Sequence, residues 1–467
     1  MKKHVRKRLA ALLGRDNVLD SEAGRICYAY DASGERSLPQ AVVFPADTAQ
    51  VSGVMTIASE HRMPVVPRGA GSGLTGGAVP VRGGIVMALS RLNRIVEIDD
   101  GNLLAVVQPG VLTADLHRAV EKVGLFYPPD PASMEFSTIG GNIAENAGGI
   151  RAVKYGVTRN YVMGLEVVLP GGEIVHSGSK CVKDVVGYDL TGLFVGSEGT
   201  LGVVTQAILK LLPLPEARRA LIAAFASMQT AAQTVEDLFK ERIIPEAIEF
   251  MDGTCLRAVE NYLRPEFPRG AEAVLLVQVD GNEDRVDDDL QQVRRICEAR
   301  RAMDLRIAGN RSERDFLWKV RRSVHAALQT LRTQWVEEDV SVPRLRIAEM
   351  LLHLEGIARQ YGVVIANFGH YGDGNIHVSM APADADAGWA SVERARLAIL
   401  KTAVRLEGRI AAEHGIGLKK QRQLGWNIDG PTLKLMAELK RWLDPLGILN
   451  PGKVLPDVCD RLGSRGS

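Results

Sequence analysis

Hydrophobic and polar positions along the chain fall into two textures. From Ala41 to about Leu212, short apolar runs alternate with glycine-rich loops, which predicts strands more often than helices. Residues 41–44, 64–67, 84–87, 105–107 and 164–169 read as strands, and 48–60 and 113–123 are the better helical segments. Pro213 and Pro215 punctuate the end of this region. After Arg218, strands at 221–226, 247–250 and 273–279 alternate with helices at 230–240, 285–302, 313–331, 345–361 and 389–406. A last helix, 432–443, leads to Asn450, Pro451, Gly452 and Lys453. Strands and helices mixed in this way predict an α+β domain in which helices cover a sheet.

Composition narrows the function classes. At roughly 150 residues per domain, 467 residues allow two or three domains. The 57 basic and 56 acidic residues nearly cancel, leaving a formal charge of +1, so no polyanion-binding surface and no nucleic-acid partner is expected. An aromatic content of 5% also argues against a base-stacking platform. Lys2, Lys3, Arg6, Lys7 and Arg8 precede an apolar run from Leu9 to Leu13 that is too short for a signal-peptide core. It reads as a first helix with a solvated basic side. No stretch approaches the roughly 18 apolar residues of a bilayer span, so a cytoplasmic protein is expected, associated with a membrane only through a partner. Cys27, Cys181, Cys255, Cys297 and Cys459 are scattered without a CxxC, which supports neither a disulfide framework, a zinc ribbon nor an iron–sulfur site.

Gly71, Gly73 and Gly76 spell GxGxxG, but residues 79–84 lead into another strand where a Rossmann site would need a helix. A loop this rich in glycine can instead turn backbone N–H groups inward around a pyrophosphate; a tight turn without ligand is the alternative. Two more loops of the same kind follow, at 138–149 after Pro128, Pro129, Asp130 and Pro131, and at 196–204. Three such loops suit a large polyoxygenated cofactor.

Residues 363–368 and 376–380 read as strands joined at Asp373-Gly374, a two-residue hairpin turn. That turn pairs residues whose numbers sum to 747, which sets His370 directly opposite His377 with Cβ atoms roughly 5 Å apart. The two imidazoles either converge on one ion or stack without one. Glu413 and His414, flanked by Gly415 and Gly417, add a carboxylate, and two imidazoles with one carboxylate make a familiar catalytic metal set. On an extended backbone Glu413 and His414 point apart and can serve two tasks.

These motifs resemble the FAD-binding domain of the vanillyl-alcohol oxidase family, in the branch holding D-lactate dehydrogenases, the glycolate oxidase flavin subunit and D-2-hydroxyglutarate dehydrogenases. The resemblance runs from about Pro39 to Pro456. It implies an α+β chain with a PCMH-type FAD-binding domain over 1–216 (core 39–215), a substrate- and metal-binding cap domain over 217–425, and a segment over 426–467 returning to the FAD domain. It implies FAD contacts from Arg68, Gly69, Ala70, Gly71, Ser72, Gly73 and Thr75, from Pro131, Thr138, Gly141, Asn142 and Asn146, from Glu198, Gly202 and Val204, and from Asn450. With no histidine between His61 and His117, where some relatives tether the flavin, the FAD is expected to be non-covalent.

The resemblance further implies a divalent ion (zinc, manganese or iron) on His370, His377 and Glu413, with His414 as general base. Arg321 resembles the family's substrate-binding arginine, whose planar guanidinium can hold a carboxylate. His325, one helical turn along, is expected to line the same pocket. Glu337 and Ser379 stand near where the hydroxyglutarate branch carries a lysine and an asparagine, which favours lactate- or glycolate-sized substrates. The implied activity is oxidation of a small D-2-hydroxy acid to the 2-oxo acid, with electrons passed to an iron–sulfur subunit or an electron-transfer flavoprotein. The alternatives are a non-catalytic flavin-binding subunit of a redox complex, or a same-fold enzyme for a larger acid such as D-2-hydroxyglutarate.

Overall fold

A computed structural model of the chain describes residues 1–384 and 388–456. Cys459 and the end of the expected returning segment lie outside the described residues. The chain divides into two compact units, each built from discontinuous segments. The first comprises residues 1–148, 157–214 and 414–467, and the second 149–156 and 215–413. The return to the first unit thus begins at His414, twelve residues before the 426 expected from the sequence.

The first unit opens with the amphipathic helix Lys3–Leu13, which buries Val5, Leu9 and Leu13 at a four-residue spacing. These join Val51, Val54, Met55 and Ala58 of the helix Thr48–Glu60 in one apolar cluster. Asp47 caps that second helix by accepting the Gln50 N–H at 2.8 Å. A four-stranded sheet pairs Ala41–Val43 and Val65–Arg68, both parallel, with the central strand Ile85–Ala88. A strand, not a helix, therefore follows the first glycine loop. A five-stranded antiparallel sheet contains Ile95–Asp99, Leu104–Val107, Val203–Lys210, Val162–Val168 and Ile174–Gly178, in that order.

The chain's end ties into the first sheet. The Val65 N–H donates to Ile448 O at 2.8 Å and the Asn450 N–H to Val65 O at 2.7 Å. Asp444 shapes this return: its carboxylate accepts the N–H groups of Ile448 (3.0 Å) and Leu449 (2.8 Å) and pairs with Lys440 Nζ at 2.6 Å.

The second unit is a seven-stranded antiparallel sheet with helices against it. Its order is Asp304–Ile307, Ala217–Phe225, Ala273–Gly281, Ala247–Asp252, Val363–His370, Asn375–Pro382 and Val336–Ser341. The helices Gly253–Leu263, Arg311–Arg322 and Val324–Leu331 pack an apolar cluster against Ala247, Met251, Ala366 and Phe368. The segment read from sequence as one helix, 313–331, is two. Ser323 ends the first by returning its hydroxyl to Lys319 O at 2.7 Å, a bond that competes with helix continuation. The second glycine loop also contains an unexpected short helix, Ile139–Glu145, capped by Thr138 and closed by Asn146 at φ 56°. Among the described residues, no helix is long and apolar enough to cross a membrane.

Asp444→Ala strands two buried N–H groups and removes the anion paired with Lys440, which keeps its bonds to Thr200 O and Leu449 O. We expect it to lower unfolding free energy by about 2–4 kcal/mol in urea denaturation. An unchanged midpoint would show that the returning segment is held by its apolar contacts alone.

Candidate active site

In the first unit the three glycine-rich loops converge. A Cβ on Gly69 would overlap Thr138 Oγ1, so the first and second loops touch only because position 69 is bare. The third loop meets the second through Gly196 N–H to Ile143 O (2.9 Å) and Glu198 N–H to Ala144 O (2.8 Å). Asn450 bridges the first and third, donating from Nδ2 to Gly77 O (3.1 Å) and Glu198 O (2.9 Å).

Among the described residues, no amide from 69 to 77 donates to a backbone carbonyl. A run of uncommitted N–H groups through Ala70, Gly71, Ser72 and Gly73 fits a phosphate-bearing ligand. Arg68 sits beside it, its Nη1 on Tyr30 O at 2.7 Å and its guanidinium over the Tyr28 ring. Burial lowers its pKa, with the neighbouring Asp31 opposing the shift.

The remaining expected cofactor residues lie in the same unit. Thr75 is buried with Oγ1 on His414 O at 3.1 Å. Pro131 is buried and accepts the Met134 N–H, and Asn142 is buried with Nδ2 on Thr113 Oγ1 at 2.7 Å. Gly141 donates to Thr138 Oγ1, and Asn146 accepts the Arg159 N–H at 2.9 Å. Gly202 leads into the strand carrying Val204. Both oxygens of the Glu198 carboxylate accept backbone N–H groups, from Ile416 and Gly417.

In the second unit His370 and His377 share a hairpin, but not in the expected register. Residue numbers sum to 745, so His370 faces Asn375 and His377 faces Phe368. The connection is the four residues Tyr371 to Gly374, not Asp373-Gly374 alone. Asp373 folds this longer loop by accepting the Asn375 N–H at 3.1 Å. A shift of two residues keeps each side chain on its face, so the histidines are diagonal neighbours with Nε2 atoms 3.5 Å apart.

Glu413 Oε1 lies 3.6 Å from Nε2 of each histidine. Three donors about 2.1 Å from one ion at tetrahedral angles would be spaced at roughly 3.4 Å, so the set matches a metal's geometry.

Carboxylates stand behind these side chains. Glu249, fully buried, accepts His370 Nδ1–H at 2.7 Å, which turns Nε2 toward Glu413. Asp339 accepts the N–H groups of Ala412 and Glu413, both at 2.9 Å, takes Asn375 Nδ2 at 2.6 Å, and faces His377 Nδ1 at 3.5 Å. Burial opposes charge on His370, yet Glu249 and Glu413 outweigh it and hold its pKa well above the imidazole range. Burial and the neighbouring His370 lower the His377 pKa.

Arg321 lies beside this group. Its Nη2 forms an ion pair with Glu249 Oε2 at 2.7 Å, without hydrogen-bond alignment, and its guanidinium lies over the Phe368 ring. Buried Nε has no hydrogen-bond partner among the described residues, which leaves a donor for an incoming carboxylate. His325 does not continue the Arg321 face, because the helix breaks between them at Ser323. It is half exposed and pairs through Nδ1 with Glu337 Oε1 at 2.6 Å, while Ser379 Oγ reaches the same oxygen at 3.4 Å.

Sequence reasoning missed Glu249 and Asp339. A single charge within the apolar run of Ala247, Ile248, Phe250 and Met251 was the available signal for Glu249.

Comparison with known proteins identifies the family. A family model for FAD linked oxidases, C-terminal domain, matches residues 214–454, and one for an FAD binding domain matches 39–178. The chain is 46% identical to glycolate oxidase subunit GlcD of Bacillus subtilis over 97% of each chain. It is 36% identical to D-lactate dehydrogenase of Anaerostipes hadrus over 90% of each. Its fold matches 4-ethylphenol oxidase from Gulosibacter chungangensis with a TM-score of 0.79 over 97% of each chain, at 19% identity.

The chain is therefore an FAD-linked oxidoreductase of α+β fold with a PCMH-type flavin domain. It belongs to the FAD-linked oxidase family, in the branch that contains glycolate oxidase subunit GlcD and D-lactate dehydrogenase.

The His325–Glu337 pair has a pH signature. Glu337 raises the His325 pKa above its ordinary value, so the pair's contribution to stability is full below the unfolded value of about 6.5 and is lost as pH rises through the folded one. The melting-temperature gap between wild type and Glu337→Gln should be widest near pH 5.5–6.5 and close with rising pH. A gap independent of pH would show that the pair carries no linked proton.

Proposed function

We propose that the chain oxidises a small D-2-hydroxy acid, D-lactate or glycolate, to the 2-oxo acid. The observation that carries this reading is the set of His370, His377 and Glu413 within 3.6 Å of one another, with buried Arg321 beside it. Similarity to proteins named for glycolate and D-lactate oxidation supports the substrate class. Non-covalent FAD would be held by the three loops of the first unit, and a divalent ion (zinc, manganese or iron) by the two histidines and Glu413. When bound, the flavin supplies an acceptor for the C2 hydride, and the ion supplies a Lewis acid that lowers the hydroxyl pKa.

The chain's own residues do the rest. Arg321, with Nε uncommitted, takes the substrate carboxylate and fixes its orientation. Glu249 holds both Arg321 and His370 in place through its two oxygens. Asp339 fixes the backbone N–H of Glu413. His414 takes the hydroxyl proton, so the C2–H bond breaks as the carbonyl forms. Glu337, negatively charged and near Ser379, disfavours a second carboxylate on the substrate.

Electrons leave to a partner protein, an iron–sulfur subunit or an electron-transfer flavoprotein. Two features support this: the relative in Bacillus subtilis is named a subunit, and the scattered cysteines include no cluster-binding motif.

His414→Asn should keep its FAD and slow anaerobic flavin reduction by about 10²–10⁴-fold, the usual range for a general base. Stopped-flow reduction at the wild-type rate would remove His414 from the reaction.

A further inference from the structure

Beyond the flavin contact expected of the third glycine loop, its buried Glu198 lies near a second acid of the first unit, Glu145. Glu198 is held in the left-handed region at φ 52°, a conformation that costs a side-chain-bearing residue energy and persists only where its surroundings enforce it. Its N–H is tied to Ala144 O at 2.8 Å and its carbonyl to Asn450 Nδ2 at 2.9 Å.

So fixed, the carboxylate gives one oxygen to the Ile416 N–H at 2.8 Å and the other to the Gly417 N–H at 2.7 Å. These amides lie two and three residues after His414. Other bonds fasten the same turn: Thr75 Oγ1 to His414 O at 3.1 Å, Leu418 N–H to Thr75 O at 2.7 Å, and Val454 N–H to Gly417 O at 3.0 Å.

Glu145 completes the enclosure. Gly415 has φ 80°, and a Cβ there would overlap Glu145 Oε2, so the turn fits only a bare residue. Burial, with Glu198 and Asp31 nearby, raises the Glu145 pKa well above the carboxyl range and keeps it neutral. Burial pushes the Glu198 carboxyl up as well, opposed by the two backbone N–H groups and by Lys453 and Lys420.

We propose that Glu198 is a positioning residue for His414, its carboxylate binding the N–H groups of Ile416 and Gly417 and thereby fixing the turn that aims the imidazole. A bidentate anion across consecutive amides sets backbone direction more tightly than apolar packing does, because both bonds are directional. The inference rests on the reading of His414 as the base.

The test is Glu198→Gln in the FAD-loaded enzyme, which turns one acceptor into a donor facing an N–H. Hydrogen exchange at Ile416 and Gly417 should speed up at least tenfold, and the reduction rate is taken per FAD-loaded chain, counted by flavin absorbance. Anaerobic reduction by D-lactate or glycolate should fall about 10- to 100-fold, the cost of roughly an ångström of misplacement, and the pH midpoint of the reduction rate should shift. Glu198→Asp, still charged but a methylene shorter, serves with the same readouts if the glutamine variant does not hold FAD.

Wild-type exchange, or a wild-type rate and pH midpoint in a protein whose His414→Asn variant is slow, overturns the inference alone. A wild-type rate in His414→Asn removes the base and this role together. Glu145→Gln, a neutral replacement for a neutral group, should leave exchange at 416 and 417 unchanged; an equal loss there would assign the effect to packing and overturn the proposal.

Discussion

A carboxylate with no exposed surface must be paired or it costs several kcal/mol, and Glu249 is such a group at the centre of the second unit. Its partners are His370 on one oxygen and Arg321 on the other. The pairing solves the burial problem and defines the site at once. It orients the His370 ring so that Nε2 faces Glu413, and it draws a guanidinium within reach of whatever binds there. The strand register enforces it, because Glu249 and His370 are directly opposite on neighbouring strands. Asp339 does related work on the other histidine, with its remaining oxygen tying down the backbone of Glu413.

The first unit works by a different principle. Its loops present backbone N–H groups, and their mutual contacts run through bare glycine positions and through Asn450 from the far end of the chain. A polar cofactor is served by a shaped surface of amides, whereas a metal is served by few side chains with defined angles. The division between the units falls at the bond between Glu413 and His414. Consecutive residues therefore belong to different compact bodies, one proposed as a metal ligand and one as a base.

Much of this was legible in the sequence, because glycine density, hydrophobic period and the Glu-His pair are local signals. The helix Thr48–Glu60 and the strand Ala41–Val43 were readable from period and flanking turns. The hairpin's existence and face were readable too, but not its register, since Asp373-Gly374 mimics a two-residue turn while Asp373 in fact closes a four-residue one.

What escaped depends on distance along the chain. Glu249 lies 121 residues from His370, and Asp339 lies 74 from Glu413, so no spacing rule connects them. The break at Ser323 escaped because its cause is a side-chain bond to the preceding turn, not a glycine or proline. The helix Ile139–Glu145 escaped because two glycines near its start disguise it as loop.

The most direct measurement is anaerobic bleaching of the bound flavin by D-lactate and by glycolate, before metal removal, after chelation, and after metal is restored. The account predicts bleaching that disappears with the metal and returns with it, with flavin content constant throughout. Bleaching indifferent to chelation would contradict the role given to His370, His377 and Glu413, and no bleaching by either acid would contradict the proposed reaction itself.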